Sequence, residues 1–316
     1  CLLLRGGELS ETARRRLAPI RETQDGGSLN GVLQRELLLG YINMSDLASV
    51  NPGLGLPYEL SLPSFAATAW YHHKLPDQPE KLEPFLKEVE DFAMNDYALA
   101  LSKGSLLDSV SFNHIAEKLH EYTGLPVMYI RKASLRIDEG KFTHALLGDN
   151  NSITGRYDAR FSGFAYDPLS EESGYDPTDS YTSAAITAAF NNYVRTVLKY
   201  GIGKDFKPIN FDVSQLWNFQ HQPPGAPGKF FANVMPDLAQ TMIYDPNMKV
   251  MLNSGYFDLA TPFFQGMYEM HQLPIPNSLQ KNIEIKHYYS GHMVYLNPAA
   301  HKQLHDNVAK FINSTH

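Results

Sequence analysis

Three residues, set in one order along the chain, are of the types that together perform acyl transfer: Ser10, Asp258 and His292. A histidine has a pKa near neutrality and can take the proton of a serine hydroxyl. An aspartate buried behind it fixes the imidazole tautomer and stabilises the imidazolium that forms. His292 follows a β-favouring run over residues 283–289 that stops at Ser290-Gly291. Asp258 follows another strand-like run, Lys249-Val250-Met251-Leu252-Asn253, and the loop Ser254-Gly255-Tyr256-Phe257. The chain has 12 histidines, so a loop histidine alone carries little weight. A matching aspartate on a second strand end gives this one its interest.

The elements that must hold these residues follow from periodicity. Each of the two runs leads through a loop into a helical pattern. Thr261-Pro262 opens one helix, which extends to about Met270. The other spans about 299–312, with Leu304, Val308, Phe311 and Ile312 on one face. Parallel strands with helical crossovers place all their C-terminal ends on the same sheet edge. Asp258 and His292 are therefore expected to meet there. At the front, residues 1–5 read as a short strand, residues 6–11 as a turn and residues 12–21 as a helix. A second strand is expected over 31–38, and Asn233 to Ile243 reads as a helix with Pro236 in its first turn.

From about residue 60 the pattern turns helical. Ser64 is the expected N-cap before Phe65-Ala66-Ala67. Phe85, Val89, Phe92, Ala93, Tyr97 and Leu101 recur at helical spacing after Pro84, and residues 111–122 form another amphipathic stretch. Asp176 to Ser183 precedes a helix that offers Ala184, Ala188, Val194 and Leu198 for burial. The chain order serine, aspartate, histidine, with the serine on a strand-to-helix turn, is that of the α/β-hydrolase arrangement. The expected fold class is α/β: an α/β-hydrolase sheet with helices on both faces, built from residues 1–59 and 206–316, with a mostly helical cap inserted at 60–205.

Composition excludes several function classes. The formal net charge is −7, from 27 basic and 34 acidic residues, and no basic block marks a nucleic-acid surface. Arg14-Arg15-Arg16 reads as the solvated face of a helix. Apolar runs fall short of the ~18 residues of a membrane span. Cys1 is the sole cysteine, so no internal disulfide forms, which leaves the periplasm or secretion open. No signal peptide is visible at the start. With no initiator methionine, the true N-terminus is expected to lie upstream. His72 and His73 are adjacent, so on a helix their rings diverge, and no HExxH or cysteine cluster exists for a metal. Gly225 to Gly228 lacks the lysine pattern of a phosphate loop, so phosphate binding is not expected. Neither metal nor organic cofactor is implied.

The segments Asn253-Ser254-Gly255-Tyr256-Phe257-Asp258-Leu259-Ala260-Thr261-Pro262 and Ser290-Gly291-His292-Met293-Val294 resemble the catalytic aspartate and histidine segments of serine carboxypeptidases. Residues 134–138 and 155–161 are similar to the bacterial members, and the resemblance extends over most of the chain after about residue 28. It implies a serine-type hydrolase that removes C-terminal residues from peptides. Asp258 would orient His292, and His292 would act as general base and then general acid. The family's nucleophile segment reads Gly-Glu-Ser-Tyr followed by a small residue. Here Gly7-Glu8-Leu9-Ser10-Glu11 puts Leu9 at the serine position, with Ser10 one place later.

Three readings fit this departure: Ser10 as the nucleophile of a shifted turn, a hydrolase without a nucleophile, and a misread stretch over residues 1–28. Under the resemblance Glu8, while protonated, would bind the peptide's terminal carboxylate, which favours mildly acidic pH. Otherwise it is a solvated turn residue. The family's upstream strands and oxyanion glycines are expected before residue 1. A non-catalytic peptide-binding or structural protein, and an esterase, remain the alternatives. Tyr157, Tyr166, Tyr175 and Tyr181 either line a peptide cleft or pack the loops around them. Asp258 has a second reading as the cap of the helix beginning near Pro262.

Overall fold

The computed structural model of the protein describes residues 36–38, 54–208, 211–218, 220–231 and 233–314. Ser10, Glu8 and the strand, turn and helix expected over residues 1–21 lie outside the described residues.

In chain order, strand β1 (Glu36–Leu38) is followed by helices α1 (Leu56–Tyr71) and α2 (Leu82–Phe92). The latter continues through a π-turn at Ala93–Tyr97 into α3 (Ala98–Lys103). Then come α4 (Ser109–Thr123), α5 (Val127–Lys132) and α6 (Glu139–Ala145). A small hairpin of β2 (Ser152–Thr154) and β3 (Ser162–Phe164) leads to α7 (Pro177–Thr196) and α8 (Phe211–Leu216). Strands β4 (Gln220–His221) and β5 (Phe230–Phe231) precede α9 (Met235–Tyr244) and β6 (Val250–Gly255). The chain ends with α10 (Phe263–His271), α11 (Asn277–Gln280), β7 (Ile283–Tyr288) and α12 (Pro298–Asn313).

Helix predominates. Among the described residues the strands form one parallel sheet in the order β1-β6-β7 and two antiparallel pairs, β2-β3 and β4-β5. This overturns the expected α/β-hydrolase sheet with helices on both faces and a helical cap. No large central sheet is present among the described residues, and the longest strands, β6 and β7, have 6 residues each. The error has a physical source. The strand–loop–helix rhythm after residue 249 is local, and a three-stranded sheet satisfies it as well as a long one does.

α1 is apolar around most of its circumference, as a helix buried on several sides must be. Leu60, Leu62, Phe65, Ala66, Ala67 and Ala69 are all buried, and the helix packs on α2, α4 and α10. It starts well before Ser64, with Pro57 in its first turn, where a missing N–H leaves no bond unmade. Ser64 is an interior residue whose carbonyl accepts from the Thr68 hydroxyl at 2.9 Å. Asp108 caps α4, its Oδ1 accepting from the Val110 and Ser111 amides at 3.0 and 2.9 Å. Gly124 ends that helix at φ 68°, a left-handed conformation that favours glycine. The same apolar cluster runs on to Ala159, Phe257, Leu259 and Phe263, which tie the helical region to the segment carrying Asp258.

β6 is buried at all 6 positions, as its continuous apolar run Val250-Met251-Leu252 requires of a central parallel strand. Val250 and Leu252 pack with Ala239 and Met242 of α9 and with Met270 of α10. α7 departs from expectation: Ala184, Ala188 and Leu198 are exposed and Val194 is half-buried. That helix is started instead by its cap, the Asp176 carboxylate accepting from the Thr178 amide at 2.8 Å.

Candidate active site

β6 and β7 pair in parallel from Val250↔Ile283 to Gly255↔Tyr288, so both chains leave the sheet at the same end. Their continuations stay bonded beyond the strands. The Tyr256 amide donates to the Tyr288 carbonyl at 3.0 Å, and the Phe257 amide to the Ser290 carbonyl at 3.1 Å. The two loops approach so closely that glycine is needed at Gly255 and Gly291. A Cβ at Gly291 would lie 2.5 Å from Asp158 Cβ and 2.6 Å from its Cα, and one at Gly255 would meet the Ser290 and Gly291 carbonyls.

In this setting His292 Nδ1 lies 2.8 Å from Asp258 Oδ2. Asp258 is buried, and its two oxygens have separate tasks. Oδ1 accepts from the Ala260 and Thr261 amides, each at 2.9 Å, and closes the turn that leads into α10. Oδ2 accepts from the Thr261 hydroxyl at 2.6 Å and faces His292. The same hydroxyl oxygen is 3.1 Å from His292 Nδ1. Four donors thus converge on a group that is acceptor-only when ionised. The two sequence readings of Asp258, turn cap and histidine partner, describe different oxygens of one carboxylate. With Nδ1–H committed to Asp258, the Nε2 lone pair is left for a proton. Nε2 has no partner among the described residues, and a third of the side chain is exposed.

The hydrogen bond with Asp258 raises the His292 pKa above its usual value, outweighing the burial that lowers it. The sign is that of a group gaining a partner. The pairing stabilises the protonated form below the ordinary imidazole value and is lost as pH rises through the raised one. An NMR titration should therefore place the His292 midpoint above about 6.5. In Asp258→Asn it should fall below that, because the burial cost remains and the carboxylate is gone. A midpoint unchanged by the substitution would contradict this account.

A third segment, residues 155–161, locks the two loops together. The His292 amide donates to the Tyr157 carbonyl at 2.7 Å, the Leu259 amide to the Arg156 carbonyl at 3.0 Å, and the Ala159 amide to the Phe257 carbonyl at 2.9 Å. Asp158, also buried, receives Arg160 in a fork, Nε to Oδ1 at 2.8 Å and Nη2 to Oδ2 at 2.6 Å. Its Oδ2 also accepts from the Gly291 amide at 3.2 Å, while Arg160 Nη1 donates to the Tyr289 carbonyl at 2.9 Å. The guanidinium lies over the rings of Phe257 and Tyr289 at 5.5 and 5.8 Å. The Tyr157 ring is 5.4 Å from that of His292.

Other histidine pairings differ. His287 Nδ1 is 2.9 Å from the Ser254 hydroxyl, but both sit in the packed sheet between β6 and β7, and burial pushes His287 down to about 4. A base so weak is poorly matched to taking a proton near neutral pH. His221 meets Asp237 at 2.8 Å away from these loops. His72 binds the Ala159 carbonyl at 2.7 Å and anchors the 155–161 segment to the end of α1. Of the four tyrosines, Tyr157 borders His292 and Tyr175 lines the neighbouring cleft; Tyr166, Tyr175 and Tyr181 are all exposed.

Thr261, Asp158 and Arg160 lie in the segments that carry the resemblance, yet their types alone give those side chains no task. The usable signals were a threonine three residues after Asp258, where it bonds back to the carboxylate, and the close spacing in Asp158-Ala159-Arg160. Among the described residues no group of three or more histidine, cysteine or acidic side chains could hold a metal ion. No described helix is long and apolar enough to cross a membrane. No protein-family model, curated protein or solved structure matches the chain.

Proposed function

We propose that the protein is a serine-type hydrolase of peptides acting at the C-terminal bond, as the resemblance to serine carboxypeptidases implies. The observation that supports this reading is the 2.8 Å contact between His292 Nδ1 and Asp258 Oδ2, with Nε2 left without a partner among the described residues. In the proposed mechanism His292 Nε2 removes the proton of a serine hydroxyl as that oxygen attacks the scissile carbonyl. Asp258, accepting from Nδ1–H, keeps the imidazole in the tautomer that presents Nε2 and stabilises the cation formed. His292 then returns the proton to the leaving amine, and the acyl-enzyme is hydrolysed by water activated in the same way. Thr261 and the 155–161 segment hold the pair in position. Ser10 as nucleophile and Glu8 as partner of the peptide's carboxylate complete the reading.

A fluorophosphonate probe, which modifies only an activated serine, tests it on the folded chain. Labelling at Ser10, together with cleavage of peptides bearing a free C-terminus but not of amidated ones, is the expected result. Cleavage of both kinds, or of simple esters alone, points to an esterase. A folded chain without any labelled serine overturns the hydrolase reading in favour of a non-catalytic peptide-binding protein, which Leu9 and Glu11 would then explain.

A further inference from the structure

Three polar atoms meet where Thr261 faces the two loops. The Thr261 hydroxyl oxygen is 2.6 Å from Asp258 Oδ2 and 3.1 Å from His292 Nδ1, and those two atoms are 2.8 Å apart. Two protons serve this triangle, one on the hydroxyl and one on Nδ1. The 2.6 Å side lies in the range of a charge-assisted O–H···O⁻ bond, so the hydroxyl proton belongs to Oδ2. The Nδ1 proton then faces two oxygens, the carboxylate at 2.8 Å and the threonine at 3.1 Å. Thr261 is held in this place twice over. Its amide donates to Asp258 Oδ1 at 2.9 Å, and a β-branched side chain is stiff at χ1.

A donor on a carboxylate oxygen offsets part of its charge. The hydroxyl therefore competes with the imidazolium for Oδ2. In the triangle its hydrogen, turned toward Oδ2, lies nearer to Nδ1 than its oxygen does, so the hydroxyl dipole also opposes positive charge on the ring. The other groups facing His292 are few. Asp258 favours the charged ring, whereas burial and Arg156 of the 155–161 segment oppose it. Arg156 is itself paired with Glu139 at 3.1 Å, and the Tyr157 ring stands 5.4 Å from the imidazole. Asp158, which accepts from the Gly291 amide, is neutralised by Arg160 at 2.6 Å.

We propose that Thr261 is a positioning residue of the proposed hydrolysis whose hydroxyl shares Asp258 Oδ2 with His292 and so loosens the carboxylate's hold on the imidazolium. The inference deepens the hydrolase reading and rests on it for its link to catalysis. A general base works best when its pKa lies near the operating pH. An aspartate given over wholly to the histidine would keep the ring protonated to higher pH and leave less of it free to act. The tempering role and a purely bracing role predict opposite signs. A hydroxyl that only braced the carboxylate would, once removed, let the pair drift apart and the ring lose its proton more easily. Removing a hydroxyl that tempers the pair leaves a stronger carboxylate and a ring that holds its proton longer.

NMR titration of the His292 ring in the full chain tests this, with Thr261→Val, Thr261→Cys and Thr261→Ser beside the original. Thr261→Val keeps the shape and loses the hydroxyl, and its midpoint should rise by about half a pH unit to one pH unit. Thr261→Ser keeps the hydroxyl and should stay within about 0.2 pH units of the original. Thr261→Cys, kept reduced, offers only a weak S–H donor and should rise about half as far as the valine variant. It decides the matter if Thr261→Val does not fold. A midpoint that is unchanged or lower in the valine and cysteine variants overturns the proposal, and so does a serine variant that titrates like valine. Peptide cleavage supplies the second readout. The acidic limb of kcat/KM should move up with the midpoint in Thr261→Val and return in Thr261→Ser, whereas a bracing role would lower the rate without that upward move. The two readings fail separately. A raised midpoint in a chain that cleaves no peptide sinks only the hydrolase, and cleavage with an unmoved midpoint sinks only the role of Thr261.

Discussion

Asp158→Ala should destabilise the protein by about 3–5 kcal/mol, the range for removing one partner of a buried ion pair. The substitution takes the forked carboxylate from Arg160, whose guanidinium is mostly enclosed, and the acceptor from the Gly291 amide. The cost lies in what stays behind, an unpaired buried cation and an orphaned N–H. Urea unfolding, read as a shift in midpoint at constant slope, measures it. The double substitution Asp158→Asn/Arg160→Met should recover more than half of the loss, because it removes the stranded charge and keeps the volume. A single substitution costing under about 1 kcal/mol would mean that the pair is a surface feature and not the clamp on the histidine loop.

Under the proposed hydrolase reading, His292→Ala should lower kcat for peptide cleavage by about 10⁴- to 10⁶-fold while leaving stability within about 1 kcal/mol. The imidazole is a third exposed and its ring lies tilted 5.4 Å from that of Tyr157, so its removal opens no enclosed cavity among the described residues. KM should change little, since the lost proton transfer belongs to the transition state. Asp258→Asn should cost about 10⁴-fold by presenting the wrong tautomer. Stopped assays on purified, folded variants decide the matter. Cleavage that survives His292→Ala at the original rate would exclude this residue as the base.

The contact between Asp258 and His292 was legible in the sequence because it depends on local rules. Two consecutive strand runs joined through a helical crossover run parallel, and sequential strands are neighbours about two times in three. A parallel pair in register delivers both ends to one edge. Helix positions were legible for a similar reason, since Leu82, Phe85, Leu86, Val89 and Phe92 repeat at the helical period. The extent of the sheet was not legible, because each strand's pattern carries no information about how many others join it. Ser64 misled as a cap because a buried helix has no polar face to mark where it starts. The exposed alanines of α7 misled because alanine favours helix whether or not it is covered. The Asp158–Arg160 fork was unreadable in its effect. Its partners, Tyr289 and Gly291, stand 129 and 133 positions away.

That separation also bears on the order of folding. Local turns such as the Asp108 cap form within a few residues of chain and give back contacts at once. The amide bonds of Gly291 and His292 have to wait until segment 155–161 has docked across the ends of β6 and β7. Loop closure over such a span precedes any reward from the contacts it makes. The helices around α1 are therefore expected to gather early, and the histidine loop to acquire its final shape among the last steps. Substitutions in the Asp158–Arg160 fork should then act mainly on the unfolding rate, and the chain should reach a compact state before the Asp258–His292 geometry is complete.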